Sequence, residues 1–253
     1  MRLIPAEVLG WARRAVKPLV PAPIRAWRRR RIDARRQERF ADVPVRATFA
    51  RIYADNVWGG TPGAFYSGPG SDGGPAAGYV ATVCAFVREA GIRSMVDLGC
   101  GDFRVGARLA ECGADYTGVD VVPELVARNA AEFGRPGVRF ECRDIIADDL
   151  PAGNLCLIRQ VLQHLSNAEI ARVLENCRRY PYLIVTEHVP DDADGPEPNV
   201  DMPHGPGIRL TLNSGVYLDR PPFDVPVART LHEVEAPGGG IIRSVLVVNE
   251  RPA

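Results

Sequence analysis

Three aspartates with a regular spacing are the residues of this 253-residue chain best suited to bind a ligand. Asp97, Asp120 and Asp144 each stand at or next to the end of a short apolar run, at intervals of 23 and 24 residues. Each interval is the length of one strand, one helix and their connections, so the pattern predicts parallel strands whose carboxyl ends share one edge. Ligands of open α/β sheets bind at this edge. The three carboxylates are therefore expected to line one site.

Two glycines follow the first aspartate in the sequence VDLGCGD, residues 96–102, between a predicted strand and a predicted helix. Gly99 and Gly101 allow the backbone to approach a ligand closely, and the helix N-terminus offers unpaired N–H groups. A dinucleotide-binding fingerprint would require a third glycine at position 104, which is Arg104. A carboxylate at Asp97 would also repel a pyrophosphate. The motif therefore favours a ligand with a cationic group over a dinucleotide.

The other two aspartates suit the remaining parts of a nucleoside. Asp120 ends the sequence Gly-Val-Asp, where a carboxylate can accept hydrogen bonds from both hydroxyls of a ribose. Asp144 lies in the sequence CRDI, residues 142–145, where a side-chain acceptor and a backbone N–H can recognise an adenine edge. The three acids together predict a nucleoside ligand that also carries a positive charge.

This combination of D-x-G-x-G, an acid ending strand two and an acid before a hydrophobic residue ending strand three resembles class I methyltransferases. The resemblance covers residues 75–189 and extends to the C-terminal hairpin. It implies S-adenosylmethionine as cofactor, with its methionine end at Asp97 and the glycines, its ribose at Asp120 and its adenine at Asp144. The expected cofactor-binding residues are Asp97, Gly99, Gly101, Asp120, Val121, Asp144, Ile145 and Gln160.

The predicted fold is an α/β, Rossmann-like, doubly wound sheet of seven strands, mostly parallel and finished by a C-terminal antiparallel hairpin. Residues 190–225 contain seven prolines and four glycines and are too irregular for a crossover helix. The turn Pro-Gly-Gly-Gly at 237–240 predicts the hairpin. The strands are expected at 94–98, 116–121, 138–145, 155–161, 182–186, 225–234 and 241–249.

The segment after the fourth strand indicates the class of acceptor. Residues 157–165 (LIRQVLQHL) resemble the corresponding segment of small-molecule methyltransferases. They lack the Asn/Asp-Pro-Pro-aromatic motif of enzymes that methylate bases or glutamine amides, and they lack an acidic pair that would bind magnesium. We therefore expect a small-molecule acceptor and no metal.

Two histidines are candidate general bases. His164 and His188 follow the fourth and fifth strands, and an aliphatic hydroxyl acceptor must lose its proton as the new bond forms. The alternative for each is a hydrogen bond to the backbone at a strand end. Oxygen on a sugar or glycan precursor is the favoured acceptor. Methylation of nitrogen or carbon in a natural-product intermediate, and a non-catalytic S-adenosylmethionine-binding module, are the alternatives.

Acceptor-binding residues are expected in two segments outside the strand–helix pattern. Trp58 belongs to an N-terminal segment that covers cofactor and substrate in many members of this class, although a core position is the alternative. Tyr217, Asp219 and Arg220 lie between strand five and the hairpin, where substrate-binding elements are often inserted. The alternative for these three is an ordered surface loop.

Charge and composition divide the chain into three predicted parts: a basic appendage (1–40), a lid or substrate segment (41–74) and the methyltransferase domain (75–253). The appendage has twelve basic and three acidic residues although the net charge of the whole chain is zero. The resulting acidic excess of the remainder argues against a nucleic-acid substrate. The appendage has the composition of a peripheral anchor on an anionic membrane, with a domain-packed helix as the alternative.

The six cysteines form no Cys-x-x-Cys pair. They are expected to be free thiols in a cytoplasmic protein without a zinc site.

Overall fold

The computed structural model describes residues 40, 43–61, 63–71 and 73–249. Five α-helices are present in this part of the chain, with four short 3₁₀ turns between elements. The helices are α1 (Val45–Ala54), α2 (Gly73–Glu89), α3 (Arg104–Leu109), α4 (Pro123–Phe133) and α5 (Asn167–Cys177). Two of these helices begin at residues that favour a helix N-terminus. Pro123 occupies the first turn of α4, and Ser166 with Glu169 forms a capping box for α5.

Seven strands form one sheet in the order β3-β2-β1-β4-β5-β7-β6. They are β1 (Ser94–Leu98), β2 (Asp115–Asp120), β3 (Val138–Cys142), β4 (Leu155–Arg159), β5 (Tyr182–Val189), β6 (Arg229–Glu235) and β7 (Ile241–Val248). The first five are mutually parallel, and β7 pairs antiparallel with both β5 and β6. The predicted seven-stranded α/β fold with an antiparallel C-terminal hairpin is confirmed.

Side chains of the central strands alternate between two apolar cores, one on each face of the sheet. On β1, Val96 and Leu98 belong to the core that also contains α5, whereas Met95 belongs to the core formed with α2 and α3. All three are fully buried. Burial on both faces is expected for parallel strands covered by helices, and it holds the carboxyl edge of the sheet in a rigid frame.

Several strand ends differ from those predicted. The third strand ends at Cys142, so Asp144 lies in the following turn. The fourth ends at Arg159 because Gln160 has a φ of 55°, a left-handed conformation that a strand cannot continue through. The fifth continues to Val189 because its end pairs with β7. The sixth starts at Arg229 rather than near residue 225.

The cysteine expectation was wrong for two residues. Cys84 in α2 and Cys112, just beyond α3, form a disulfide with their Cα atoms 4.9 Å apart. Their separation of 28 residues in sequence concealed this pairing, because only the packing of α2 beside α3 brings them together. Free thiols remain at Cys100, Cys142, Cys156 and Cys177.

The basic appendage falls almost entirely outside the described residues. Phe40 is its one described residue and is buried, with Arg51 of α1 stacked over its ring at 5.9 Å. Within the described part of the chain, no helix is both long and apolar enough to cross a membrane.

Candidate active site

The loop after β1 supplies the floor of a cleft at the carboxyl edge of the sheet. Gly99 and Gly101 both have left-handed backbone conformations, with φ of 75° and 57°. A Cβ at Gly99 would collide with the Val161 side chain, and one at Gly101 would collide with the Ser67 hydroxyl. Glycine is therefore required here both for backbone conformation and for the close approach of two neighbouring segments.

Asp97 lies buried at one end of this cleft. It accepts a 2.5 Å hydrogen bond from the Tyr116 hydroxyl. Burial raises the pKa of Asp97 to about 6, while the Tyr116 hydrogen bond and the Arg159 charge act in the opposite direction. A buried carboxylate with an elevated pKa is poised to be stabilised by a cationic ligand group.

Arg159, at the end of β4, is a cleft residue that sequence reasoning missed. Its Nη2 donates to the Gly70 carbonyl at 2.7 Å, and its guanidinium lies 5.2 Å from the centre of the Tyr79 ring. Its Nε is buried and donates no hydrogen bond to any residue described in the structure. An arginine ending an otherwise apolar strand was the available signal. Together with Asp97 it places opposite charges at the same end of the cleft.

Two further aspartates lie along the same edge. Asp120 is buried and accepts hydrogen bonds from the backbone N–H groups of Gly101 and Val122, each at 3.1 Å. Burial raises the pKa of Asp120. Asp144 is half-buried and accepts from the Ile146 N–H at 2.9 Å, which shapes the turn after β3. The carboxylates of both residues therefore have fixed orientations.

All eight residues predicted to bind a cofactor line this one cleft. They come from the ends of four strands, β1 to β4, which the parallel register brings to one edge. Tyr53, Ser67, Tyr79, Asp102 and Arg159 are further lining residues that the sequence analysis did not single out.

The segment before α2 closes one side of the cleft. The Ser67 N–H donates to the Asp102 carboxylate at 3.0 Å, and the Asp102 N–H donates to the Ser67 hydroxyl at 2.8 Å. Trp58 lines the cleft, its indole N–H donating to the Pro206 carbonyl at 3.3 Å and its ring centred 5.2 Å from that of His164. The segment that was predicted to act as a lid thus packs directly on the glycine loop.

His164 lines the cleft on the turn after β4. Its Nδ1 is 3.0 Å from the Gly207 carbonyl, which can only accept, so Nδ1 carries the proton and Nε2 has the free electron pair. Burial lowers the pKa of His164 to about 4. The imidazole is therefore neutral at pH 7. Its Nε2 is 3.4 Å from the side-chain nitrogen of Gln163.

Two buried ionisable residues hold the turn that carries His164. Glu187 accepts from the backbone N–H groups of Val161, Leu162 and Gln163 at 3.2, 2.9 and 3.2 Å. Burial raises the pKa of Glu187 to about 7. From the other side, Arg209 donates to the carbonyls of residues 162 and 165 at 3.2 and 2.7 Å. The turn is thus hydrogen-bonded through both its N–H and its C=O groups.

The remaining predicted residues lie elsewhere. His188 lies in a groove adjoining the cleft, and its Nε2 donates to the Gly239 carbonyl at 2.8 Å. Tyr217, Asp219 and Arg220 line a separate cavity next to β5 and β7, because the irregular connection folds over this face of the sheet. The structure does not bring these three to the cleft, and their binding of an acceptor stays a prediction.

No group of three His, Cys, Asp or Glu side chains able to hold a metal ion occurs among the described residues. The metal-free mechanism stays a prediction.

Comparison with known proteins agrees with this geometry. Residues 95–180 match the sequence model of a methyltransferase domain. The chain is 30% identical over 89 residues to the ubiquinone biosynthesis O-methyltransferase of Coxiella burnetii. The match covers 34% of this chain, and the chain spans only 37% of that relative.

Two solved structures are also similar. Human N-acetylserotonin methyltransferase, in complex with S-adenosylmethionine, is 18% identical over 67% of this chain and 51% of that one, with a TM-score of 0.47. Magnesium protoporphyrin IX methyltransferase from Synechocystis PCC 6803, with bound S-adenosylhomocysteine, is 18% identical over 85% of this chain and 98% of that one, with a TM-score of 0.48.

The matched residues 95–180 contain the glycine loop and all three aspartates, on a sheet with the predicted strand directions. Residues 95–180 therefore form a methyltransferase domain built on a Rossmann-like sheet.

Proposed function

We propose that this chain is an enzyme that transfers a methyl group from S-adenosylmethionine to a small acceptor. The observation that carries the proposal is the order of charges along one cleft. Asp97 and Arg159, of opposite sign, lie at one end, while Asp120 and Asp144 follow from the neighbouring strands. An amino-acid group, a ribose and a base present the complementary groups in the same order.

The residues of the cleft suit this cofactor in detail. Asp97 would hold the ammonium group, and Arg159 would bind the carboxylate through its buried, unpartnered Nε. Asp120 would accept from the ribose hydroxyls, and Asp144 with the N–H of Ile145 would bind the adenine edge. The bound sulfonium supplies a methyl group activated for in-line attack. The chain's own contribution is then largely to position the two reactants.

Oxygen on a sugar or glycan precursor is the acceptor we favour. Support comes from His164, which lines the cleft and whose unprotonated Nε2 could take a proton from a hydroxyl that replaces the Gln163 amide, 3.4 Å away, as its hydrogen-bond donor. The rings of its neighbours Trp58 and Phe49 are centred 5.2 and 6.5 Å from the imidazole and add apolar surface to the cleft. The acidic excess outside residues 1–40 supports a small acceptor over nucleic acid.

Methylation of nitrogen or carbon is the second candidate, and one observation favours it. The lowered pKa of His164, about 4, makes its imidazole a weak base. A neutral amine or an activated carbon can attack a sulfonium without a strong protein base. The pH dependence and mutagenesis of His164 separate the two candidates.

Cytoplasmic location and contact of residues 1–40 with an anionic membrane are also proposals. The twelve basic residues of this segment, interspersed with Trp11 and Trp27, support peripheral contact.

Titration calorimetry with S-adenosylhomocysteine tests the proposed function. Asp120→Ala should weaken binding by about 1–3 kcal/mol, because a charged hydrogen-bond acceptor for the ribose is lost. The matched control is Asp115→Ala, which removes an exposed aspartate at the opposite end of the same strand and should leave binding unchanged.

Equal affinity of wild type and Asp120→Ala would contradict the ribose assignment. Tight binding without methyl transfer to any hydroxyl, amine or carbon acceptor would instead favour a non-catalytic binding module.

A further inference from the structure

A groove opens from the cofactor cleft beside His164. One wall is the 67–70 segment and the other is the loop at 206–208. Trp58, Gln160 and His164 line both the groove and the cleft, so the two spaces are continuous. A molecule in the groove would therefore reach the point where His164 meets the cofactor site.

Gln163 lines this groove and has a side-chain oxygen without a hydrogen-bond donor among the described residues. The side chain is only 6% exposed. Its Nε2 lies 3.5 Å from the Gln160 carbonyl and 3.4 Å from His164 Nε2, and both of these atoms are acceptors. The amide nitrogen must therefore face them, which directs Oε1 the other way. That oxygen is buried and accepts no hydrogen bond from any residue in the described part of the chain.

A buried acceptor without a donor costs free energy unless a ligand supplies the donor. The backbone of Gln163 is held in place because its N–H donates to Glu187 at 3.2 Å, and the residue is surrounded by packed neighbours. Rigidly placed buried polar groups are the ones that discriminate between ligands, since a molecule lacking the matching group leaves them unsatisfied.

The groove offers no full charge to a ligand. Among its lining residues in the described structure there is no Asp, Glu, Lys or Arg. The two histidines that line it are neutral near pH 7, because burial lowers the pKa of both His164 and His188. Its polar side chains carry amides, two hydroxyls and imidazoles, and Trp58 contributes apolar surface. A charged molecule would lose its hydration here without gaining a counter-charge.

We propose that this groove is the acceptor site, that it takes an uncharged polyhydroxylated molecule, and that Gln163 Oε1 selects it by accepting a hydrogen bond from a hydroxyl. This inference rests on the proposed function and adds to it the place, the charge and one specificity-determining residue. The acceptor hydroxyl that reacts would lie next to His164, which directly follows Gln163 in the same turn.

Titration by NMR, with the protein saturated with S-adenosylhomocysteine, tests the inference. The probes are methyl β-D-glucopyranoside, methyl β-D-glucuronide and methyl β-D-glucosaminide. These three methyl glycosides are similar in shape and are neutral, anionic and cationic, respectively. The neutral glycoside should shift the Gln163 side-chain amide and His164 ring signals, with an affinity at least about tenfold higher than that of either charged glycoside.

The variant Gln163→Met keeps the length of the side chain but removes its oxygen. It should weaken binding of the neutral glycoside by about tenfold or more, while the affinity for S-adenosylhomocysteine stays at the wild-type value. A charged glycoside that binds as well as the neutral one would overturn the inference. So would unchanged glycoside binding in Gln163→Met, or the absence of any shift at Gln163 and His164.

Binding of S-adenosylhomocysteine tests the proposed function separately from the acceptor site. If the glycoside experiments contradict the acceptor site while S-adenosylhomocysteine still binds, the proposed function stands. Failure of the wild-type protein to bind S-adenosylhomocysteine would count against the proposed function itself.

Discussion

Cofactor affinity should depend on pH through Asp97. Burial raises the pKa of this carboxyl to about 6, and only its ionised form can pair with the ammonium group of the cofactor. Acidification protonates the free protein at Asp97, so binding must then release that proton. Because the folded pKa is raised, the affinity is present above pH 6 and is lost as the pH falls through that value.

The size of the effect follows from the ionised fraction. With a pKa of about 6, Asp97 is roughly 90% ionised at pH 7 and roughly 10% ionised at pH 5. Since apparent affinity scales with the fraction in the binding-competent form, we expect a loss of about tenfold, or ~1.4 kcal/mol, between these pH values.

Titration calorimetry with S-adenosylhomocysteine from pH 7.5 to pH 5 measures this directly. Tyr116, Arg159 and Asp120 are the ionisable groups that act on Asp97, and burial also raises the pKa of Asp120. The variant Asp97→Asn separates their contributions. It should bind more weakly at pH 7 and lose the tenfold pH dependence, whereas the exposed control Asp115→Asn should retain it.

A flat affinity between pH 7 and pH 5 in the wild-type protein would refute the reasoning. The same slope in Asp97→Asn would show that another group, with Asp120 the first candidate, is responsible.

Two further predictions concern the candidate base and the basic appendage. His164→Ala should reduce methyl transfer to a hydroxyl acceptor by roughly 10²–10⁴-fold without changing cofactor affinity. At saturating S-adenosylmethionine, wild-type activity should fall on acidification through a pKa of about 4. Near-normal turnover in both His164→Ala and His188→Ala would exclude a histidine base. Removal of residues 1–39 should leave a folded protein that binds S-adenosylhomocysteine, because buried Phe40 and every cleft residue are retained. The truncation should abolish sedimentation with anionic vesicles at low salt, and a full-length protein that never sediments with them would exclude the membrane anchor.

The cofactor half of the cleft could be predicted because its signals are local. Each of Asp97, Asp120 and Asp144 lies at or just beyond its own strand, and the spacing of one strand–helix unit brings all three to one edge. Gly99 and Gly101 could be predicted because a sharp turn from strand to helix requires a backbone that tolerates positive φ. Parallel pairing of the strands is then sufficient to bring these aspartates and glycines to the same edge of the sheet.

Other residues of the site could not be predicted in the same way. Arg159 reads in sequence as the last residue of an apolar strand, and Ser67 as part of a glycine-rich loop. Their roles arise from contacts across 89 and 35 residues, to Gly70 and Asp102 respectively. Tyr217 shows the converse: its segment was a reasonable place for a substrate residue, yet the connection folds it over another cavity.

The sequence by itself determined the order of strands and helices, the glycine turn and the line of acids, because short-range periodicity and turn chemistry decide these. The tertiary structure alone decided the environment of each group. Whether His164 is a strong or a weak base depends on burial beneath the 206–208 loop, and whether Gln163 has a free oxygen depends on which acceptors surround its amide. Such properties depend on contacts between segments distant in the chain, which no local pattern encodes.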